Sequence, residues 1–208
     1  MGVVAGMNQG KAIDKVIKGY CLLISSTPAF WLAMLLLMIF GVWLKIFPIG
    51  LCVPIGVEAE GVTIADRIYH AFLPALTLSI TGVSNIALHT REKMIDICGS
   101  DFMLFARMRG EKGFRLFQYY GFRNVLLPGI TLHFASISEI FGGSVLVEQV
   151  FSYPGLGQAA VNAGLGSDMP LLMAITIVSA LFVFGGNLIA NILYGVVDPR
   201  IRKGGAVK

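Results

Sequence analysis

The residues best suited to chemistry lie in one long apolar stretch of the sequence. His133, Ser136 and Glu139 are spaced three apart, so they share one stripe if the stretch is helical. A serine on the same stripe as its histidine cannot easily also reach an orienting acid and an oxyanion hole, which disfavours nucleophilic catalysis. The nearest string to a GxSxG motif, at 142–146, ends in Leu146. The stripe is therefore predicted to line a water-filled translocation path or, alternatively, to form an interhelical hydrogen-bonded contact.

Other candidate groups predict packing and no further chemistry. Asn187 and Asn191 are one helical turn apart and are predicted to associate helices. Cys21, Cys52 and Cys98 form neither a CxxC pair nor a disulfide framework. The sequence also contains no GxxxxGK[ST] string that would cradle a nucleotide phosphate. We therefore expect no catalytic, metal-binding or cofactor-binding residue in this chain.

The composition indicates that these residues are carried by membrane-spanning helices. Hydrophobic residues make up 56% of the 208 residues, charged residues only 13%, and the mean hydropathy is +0.78. A spanning helix needs roughly 20 apolar residues, whereas a membrane β-strand needs about 10 with alternating polarity. An all-α, polytopic membrane fold is predicted, with four spans at about 28–47, 71–89, 125–150 and 170–194.

The basic residues predict the orientation of these spans. Fourteen of the 16 lysines and arginines fall before the first span, between the second and third spans, or after the fourth. The other two loops hold only Lys45 and Arg67. Because basic residues accumulate in cytoplasmic loops, both termini are predicted to be cytoplasmic. The net charge of +4 is then a sign of topology, and no nucleic-acid partner is predicted.

The chain is predicted to divide into a cytoplasmic or interfacial segment, 1–27, and a transmembrane domain, 28–208. The first segment should contain a helix at about Ala12–Ser26, and a short interfacial helix is expected at about Ile64–His70. The polar stretch at about 90–124 is predicted to hold two short cytoplasmic helices, Asp101–Arg109 and Arg115–Arg123. Its large apolar residues favour a partner-covered surface over a solvated hairpin.

Five strings give the sequence a resemblance to a known family. They are STPAFW at 26–31, FLPALTL at 72–78, GFRNVLLPGIT at 121–131, GGSVLVEQVFSYPGLG at 142–157 and VDPRIR at 197–202. The chain resembles the permease subunits of the dipeptide, oligopeptide and nickel class of ABC importers. The strings occur in the family's order and extend from near the start to near the end of the chain.

The resemblance implies a type I importer fold in the cell membrane. Two permease subunits would form the path, two cytoplasmic ATPase subunits would bind ATP, and an extracytoplasmic binding protein would deliver the solute. Short peptides are the expected solute, with nickel as the alternative in the same class. A secondary transporter driven by an ion gradient is the alternative from another class, although the internal repeat typical of such proteins is not evident.

The resemblance also assigns roles to residues. Ala106, Gly110 and the Leu127–Pro128 pair fall on the framework of the family's ATPase-docking loop, whereas Glu139 stands where the family has a small or apolar residue. Family members are longer at the N-terminus, so the resemblance implies that this chain lacks that part. Aromatic and methionine side chains are expected to fill a groove of the ATPase, and two arginines to make polar contacts with it. The predicted docking residues are Phe102, Phe105, Ala106, Arg107, Met108, Arg109 and Gly110.

Overall fold

A computed structural model describes residues 1–54, 56, 61–111 and 117–197. Within these residues the regular structure is helical and contains no strand, as the sequence predicts. The helices are α1 (Gly2–Met7), α2 (Ala12–Ser26), α3 (Ala29–Leu36), α4 (Ile64–Cys98), α5 (Asp101–Met108), α6 (Phe122–Val150), α7 (Leu156–Leu165) and α8 (Met169–Val197). Two π-helical segments occur, Leu37–Trp43 directly after α3 and Phe117–Gly121 directly before α6.

The N-terminal part agrees with the predicted helix at Ala12–Ser26 and with a new helix starting after Pro28. Pro28 is the N-cap of α3, where its missing N–H costs no intrahelical hydrogen bond. The helical chain then stops at Trp43, whereas the predicted span reached residue 47. Lys45 adopts a left-handed conformation with φ of 53°, which a continuing helix does not allow.

α4 is longer than the sequence pattern predicts. The expected interfacial helix, the span at 71–89 and the start of the polar stretch form one helix of 35 residues. The charged run from Arg91 to Lys93 consists of good helix formers, so loss of hydropathy there does not end the helix. The helix accommodates Pro74 in its interior and ends immediately before Gly99.

The second half of the chain also differs from the expected pattern. The helix predicted at Arg115–Arg123 is not separate, because the chain from Phe117 runs through π-helical turns into α6. Residues 112–116 lie outside the described residues. α7 was not expected, since its sequence contains Gly157 and Gly164, yet it forms a ten-residue helix. α8 covers the predicted fourth span.

Two helices are long and apolar enough to cross a membrane, judged by length and composition over the described residues. They are Ile64–Cys98 and Met169–Leu193. A third candidate arises if the sharply bent pair of Ala12–Ser26 and Ala29–Trp43 is counted as one broken span.

The chain forms two compact units, and α4, α6 and α8 each contribute residues to both. The first unit comprises Met1–Ser25, Val83–Ile137 and the described residues from Val183 onward. Its core contains Met94, Ile97, Met103, Ala106, Phe117 and Val125. The second unit comprises Ser26–Gly82 and Ser138–Phe182. Its core contains Ala33, Leu73, Val147 and Phe151.

Candidate functional site

The predicted docking helix, α5, has two sharply different faces. Met103 and Ala106 are 1% and 2% exposed and pack in the core of the first unit. Phe105 and Met108, by contrast, are 65% and 76% exposed, and Phe102 is also exposed. Met103 and Ala106 therefore anchor the helix in the core, and four large apolar side chains, Phe102, Leu104, Phe105 and Met108, are exposed on its surface.

This arrangement corrects one part of the predicted docking surface. Ala106 is among the predicted docking residues, but its side chain is turned into the core of its own unit. On a helix, residues 103 and 106 share one stripe, and residues 102 and 105 share another. Ala106 thus packs α5 against the core of the first unit, and a larger side chain at this position would push the helix away from that core.

The two arginines and the glycine of the predicted surface are exposed at the end of α5. Arg107 lies in its last turn, where a positive charge is favourable at the negative end of the helix dipole. Gly110 follows with φ of 86°, a conformation that glycine adopts without strain. The side chains of Leu127 and Pro128 lie outside the described residues.

The start of α5 is fixed to the end of α4 by a short connection. Ser100 donates a hydrogen bond from its hydroxyl to the Ile97 carbonyl, at 2.5 Å. The Ser100 carbonyl in turn accepts hydrogen bonds from the backbone N–H groups of Met103 and Leu104, both at 3.1 Å. Because only Gly99 and Ser100 separate the two helices, the end of α4 sets the position of α5.

A partly buried ion pair joins the N-terminal region to α4 in the same unit. Arg91 donates from Nε to Asp14 Oδ1 at 2.5 Å and from Nη2 to Asp14 Oδ2 at 2.8 Å. Asp14 Oδ2 also accepts the Gly10 N–H at 2.9 Å. Asp14 lies in the first turn of α2, outside the four predicted spans. The hydrogen bond from Arg91, with that from Gly10, holds the pKa of the Asp14 carboxyl well below its usual range.

α1 packs very closely on α4 next to this ion pair. A Cβ atom at Gly6 would lie 2.6 Å from Met94 Cβ and 2.8 Å from the Arg91 carbonyl oxygen. A Cβ atom at Gly2 would clash with the Ala87 carbonyl oxygen. Small residues four apart allow such an approach between helices. The sequence pattern predicts neither this contact nor the ion pair, whose partners are 77 residues apart.

The predicted translocation stripe is only partly assembled in the described residues. The Ser136 hydroxyl donates to the His133 carbonyl oxygen at 2.7 Å, so its hydrogen bond stays within α6. His133 is exposed and lines an apolar cavity of about 380 Å³ together with Ile86, Phe122 and Phe134. The side chain of Glu139 lies outside the described residues. The structure thus places His133 at a cavity and gives Ser136 a local partner.

In the second unit, Glu148 joins the end of α6 to the start of α7, within the string at 142–157. Its Oε2 accepts the backbone N–H of Gln158, in the first turn of α7, at 2.7 Å. A carboxylate at this position satisfies a free N–H and interacts favourably with the helix dipole. Any Cβ atom at Gly155 would clash with the Glu148 carboxyl group. The glycine therefore leaves space for the carboxylate that caps α7.

The loop after α3 is fixed against the end of α6 in this unit. Leu51 donates its N–H to the Phe151 carbonyl oxygen at 2.9 Å. A Cβ atom at Gly50 would lie 2.5 Å from the same oxygen, so only glycine allows this approach. The ring of His70 contacts the Gly50 carbonyl oxygen through Nδ1 at 3.1 Å.

Comparison with known proteins gives consistent similarities. The chain is 40% identical over 202 residues to the oligopeptide transport system permease protein AppB of Bacillus subtilis (strain 168), covering 96% of this chain and 62% of the relative. It is 33% identical over 202 residues to a putative peptide permease protein of Brucella suis biovar 1 (strain 1330), covering 97% and 62%. It is 28% identical over 220 residues to the dipeptide transport system permease protein DppB of Escherichia coli (strain K12), covering 97% and 65%.

The chain thus spans less than two thirds of the length of each of these relatives. Their names, and that of the family, describe transport components and not enzymes. The family described as "Binding-protein-dependent transport system inner membrane component" matches residues 1–203. This match covers nearly the whole chain and agrees with its apolar helices. The chain therefore belongs to the family of binding-protein-dependent transport system inner membrane components and is a helical membrane protein.

Proposed function

We propose that this chain is a multi-pass permease subunit of an ATP-driven importer of dipeptides and oligopeptides. Its family membership supports the importer class, and the names of its relatives support the solute class. The chain would contribute part of the translocation path, while ATP would be bound by separate subunits. The proposed topology has four spans with both termini in the cytoplasm, which is the arrangement that the basic residues favour.

The exposed apolar face of α5 is the observation that carries this proposal. Phe102, Phe105 and Met108 stand on a helix whose opposite face is anchored in a core. A soluble cytoplasmic partner that covers them would remove apolar surface from water, which stabilises association. We propose that this partner is one of two ATPase subunits, with Arg107 and Arg109 making polar contacts at the rim. Closure of the ATPases on ATP would then bias the spans between two conformations.

A pull-down with the cognate ATPase subunits tests the docking surface. Replacing Phe105 and Met108 together by Asp should weaken association by about tenfold or more, because both anchors would be lost. The matched control replaces Leu165 and Met169 by Asp, since these are equally exposed apolar residues in the second unit. ATPase binding at the wild-type level by the F105D/M108D variant would contradict the docking assignment.

The exposed face of α8 supports pairing with a second permease subunit. Asn187 and Asn191 are exposed and, within the described residues, make no hydrogen bond through their side chains. Amide groups facing hydrocarbon are unfavourable unless another helix satisfies them. We expect the variant with Leu at both positions to lose permease–permease cross-linking, whereas Leu188→Ala on the same helix should keep it. Unchanged cross-linking of the N187L/N191L variant would show that the two asparagines do not form the contact between the permease subunits.

Transport by the reconstituted importer tests the function as a whole. Proteoliposomes that contain this chain, its partner permease, the ATPases and the binding protein should accumulate labelled tripeptide only with ATP, and vanadate should stop the accumulation. Replacing His133 by Leu should reduce the rate if the stripe of His133, Ser136 and Glu139 lines the path. Uptake that continues without ATP and collapses with the proton gradient would instead identify a secondary transporter.

A further inference from the structure

The second unit contains a cavity of about 740 Å³ that the docking and path residues do not explain. It is bounded by the end of the helical chain that starts at α3, the following loop, the first turns of α4 and the turn after α6. The predicted topology places all of these segments on the extracytoplasmic side. Side chains or backbone from Val42, Lys45, Phe47, Gly50, His70 and Ser152 line it. A volume of this size is typical of sites for small organic ligands.

The backbone around this cavity is held in uncommon conformations. Lys45, Leu51 and Ser152 have positive φ values of 53°, 68° and 47°, and all three residues line the cavity. In the described part of the chain only one other non-glycine residue, Ser167, has a positive φ. Such residues concentrate at ligand-binding sites, because the surrounding structure must hold them in place. Their clustering distinguishes this cavity from an incidental gap between loops.

Lys45 is the lysine or arginine among the residues that line the cavity. Within the described residues its ammonium group forms no ion pair and no hydrogen bond. It is also one of only two basic residues in the loops predicted to be extracytoplasmic. A free ammonium group beside an otherwise mostly apolar wall attracts an anionic group more strongly than it would in bulk water. The cavity therefore favours a ligand that has a negative charge and an apolar body.

The remaining walls suit an apolar body with peptide groups. Phe47 stacks on Phe72 with ring centroids 4.7 Å apart and contacts Tyr69 at 5.4 Å, which fixes an aromatic surface at the cavity. The Gly50 carbonyl can only accept, so the His70 ring donates from Nδ1 and its Nε2 remains as an acceptor in the neutral form. An acceptor and an aromatic surface near one cation match the groups of a short peptide.

We propose that this cavity binds a short peptide by its free C-terminal carboxylate, with the Lys45 ammonium as the counter-charge and Phe47 against an apolar side chain. The inference rests on the proposed function, because it assigns the solute class of the importer to a site in this chain. It adds that the permease itself selects peptides with a free carboxylate. Lys45 would be a binding residue of the path entrance.

Direct binding to the purified full chain in lipid nanodiscs tests this site without ATPases. Trialanine and trialanine amide differ only in the terminal carboxylate, and calorimetric titration compares their affinities. We expect trialanine to bind about tenfold more tightly, the scale of one charge-assisted hydrogen bond. Lys45→Met should abolish this preference, and Lys45→Arg should keep it. Arg67→Met is the matched control, because Arg67 is the other extracytoplasmic cation and does not line the cavity.

Two results would overturn the proposal, namely equal binding of the two peptides to the wild-type chain and a preference for trialanine that survives Lys45→Met. Absence of binding by either peptide would overturn it as well. Binding of trialanine amide by Lys45→Met at the wild-type affinity shows that a lost preference in this variant does not come from misfolding. The uptake experiment tests the importer function separately from the binding site. Uptake of peptides without dependence on Lys45 leaves the importer function standing, whereas carboxylate-dependent binding without ATP-driven uptake leaves only the site.

Discussion

The two compact units of this protein keep their structure through different kinds of contact. The first unit depends on side chains, with the Asp14–Arg91 ion pair and the core under α5 holding its helices together. In the second unit, loops are held by backbone groups and a glycine, as in the approach of Gly50 to the Phe151 carbonyl, whereas Gly2 and Gly6 of the first unit bring one helix onto another. The first unit therefore presents a firm surface, and the second encloses a cavity between loops. Removing the charge of Asp14 should harm the first unit most, and adding a methyl group at Gly50 should harm the second unit less.

The largest effect is expected from breaking the ion pair. Replacing Asp14 by Ala leaves the partly buried Arg91 guanidinium beside α2 without its counter-charge, which is unfavourable. The midpoint of thermal unfolding in nanodiscs should fall more than for any other variant discussed here. The charge-swapped pair D14R/R91D should recover part of the loss.

Asp96→Ala is the matched control for this experiment, since Asp96 is an exposed acid on α4, the helix that carries Arg91. Its unfolding midpoint should stay near the wild-type value. If Asp14→Ala behaves like Asp96→Ala, the first unit does not depend on the ion pair and the contrast between the two units is wrong.

An intermediate effect is expected from one added methyl group in the second unit. Gly50→Ala brings a Cβ to 2.5 Å from the Phe151 carbonyl oxygen, and overpacking of this kind costs about 1–3 kcal/mol. The free energy of unfolding in denaturant measures the loss. Gly164→Ala is the control, because its Cβ would meet no atom within 4 Å and lies in α7. Equal stability of the two variants would show that the loop can move away from α6 at no cost.

A smaller effect is expected from the cap of α7. Glu148→Ala removes the acceptor of the Gln158 N–H and should cost about 1 kcal/mol, the usual value for a lost helix cap. Glu148→Gln keeps an acceptor and should cost less. Gln149→Ala, at an exposed neighbouring position, should leave the unfolding free energy unchanged. If Glu148→Ala were as stable as Gln149→Ala, the hydrogen bond from Gln158 to Glu148 would not stabilise this unit.

The sequence predicts best the features that depend on local pattern. The bounds of α2 follow from helix-forming composition ahead of Pro28, and α5 follows from its residues between Ser100 and Gly110. The length of α4 was predicted wrongly, because hydropathy marks where a helix leaves a membrane but not where it ends. The end of an apolar stretch in the sequence therefore does not predict the end of the helix.

The contacts that assemble the sites were beyond the sequence pattern. Asp14 and Arg91 are far apart in sequence, and charged residues such as these are usually exposed to solvent. The inward orientation of Ala106 depends on where α4 and α6 supply a core, which residues 101–109 alone do not specify. Glu148 lies in one of the strings that carry the family resemblance. That string alone does not predict that the Glu148 carboxylate accepts the Gln158 N–H.

The smallest effect is expected from changing pH within the usual range. Hydrogen bonds from Arg91 and Gly10 lower the pKa of Asp14 in the folded chain, so the folded state binds this proton less readily than the unfolded state does. The stabilisation by Asp14 is then complete above its unfolded pKa of about 3.9 and is lost as the pH falls through the folded pKa. The difference in unfolding midpoint between wild type and Asp14→Asn should be constant from about pH 5 to 8 and shrink below about pH 4. A difference that already changes between pH 5 and 8 would mean that another titrating group, and not Asp14, controls the first unit.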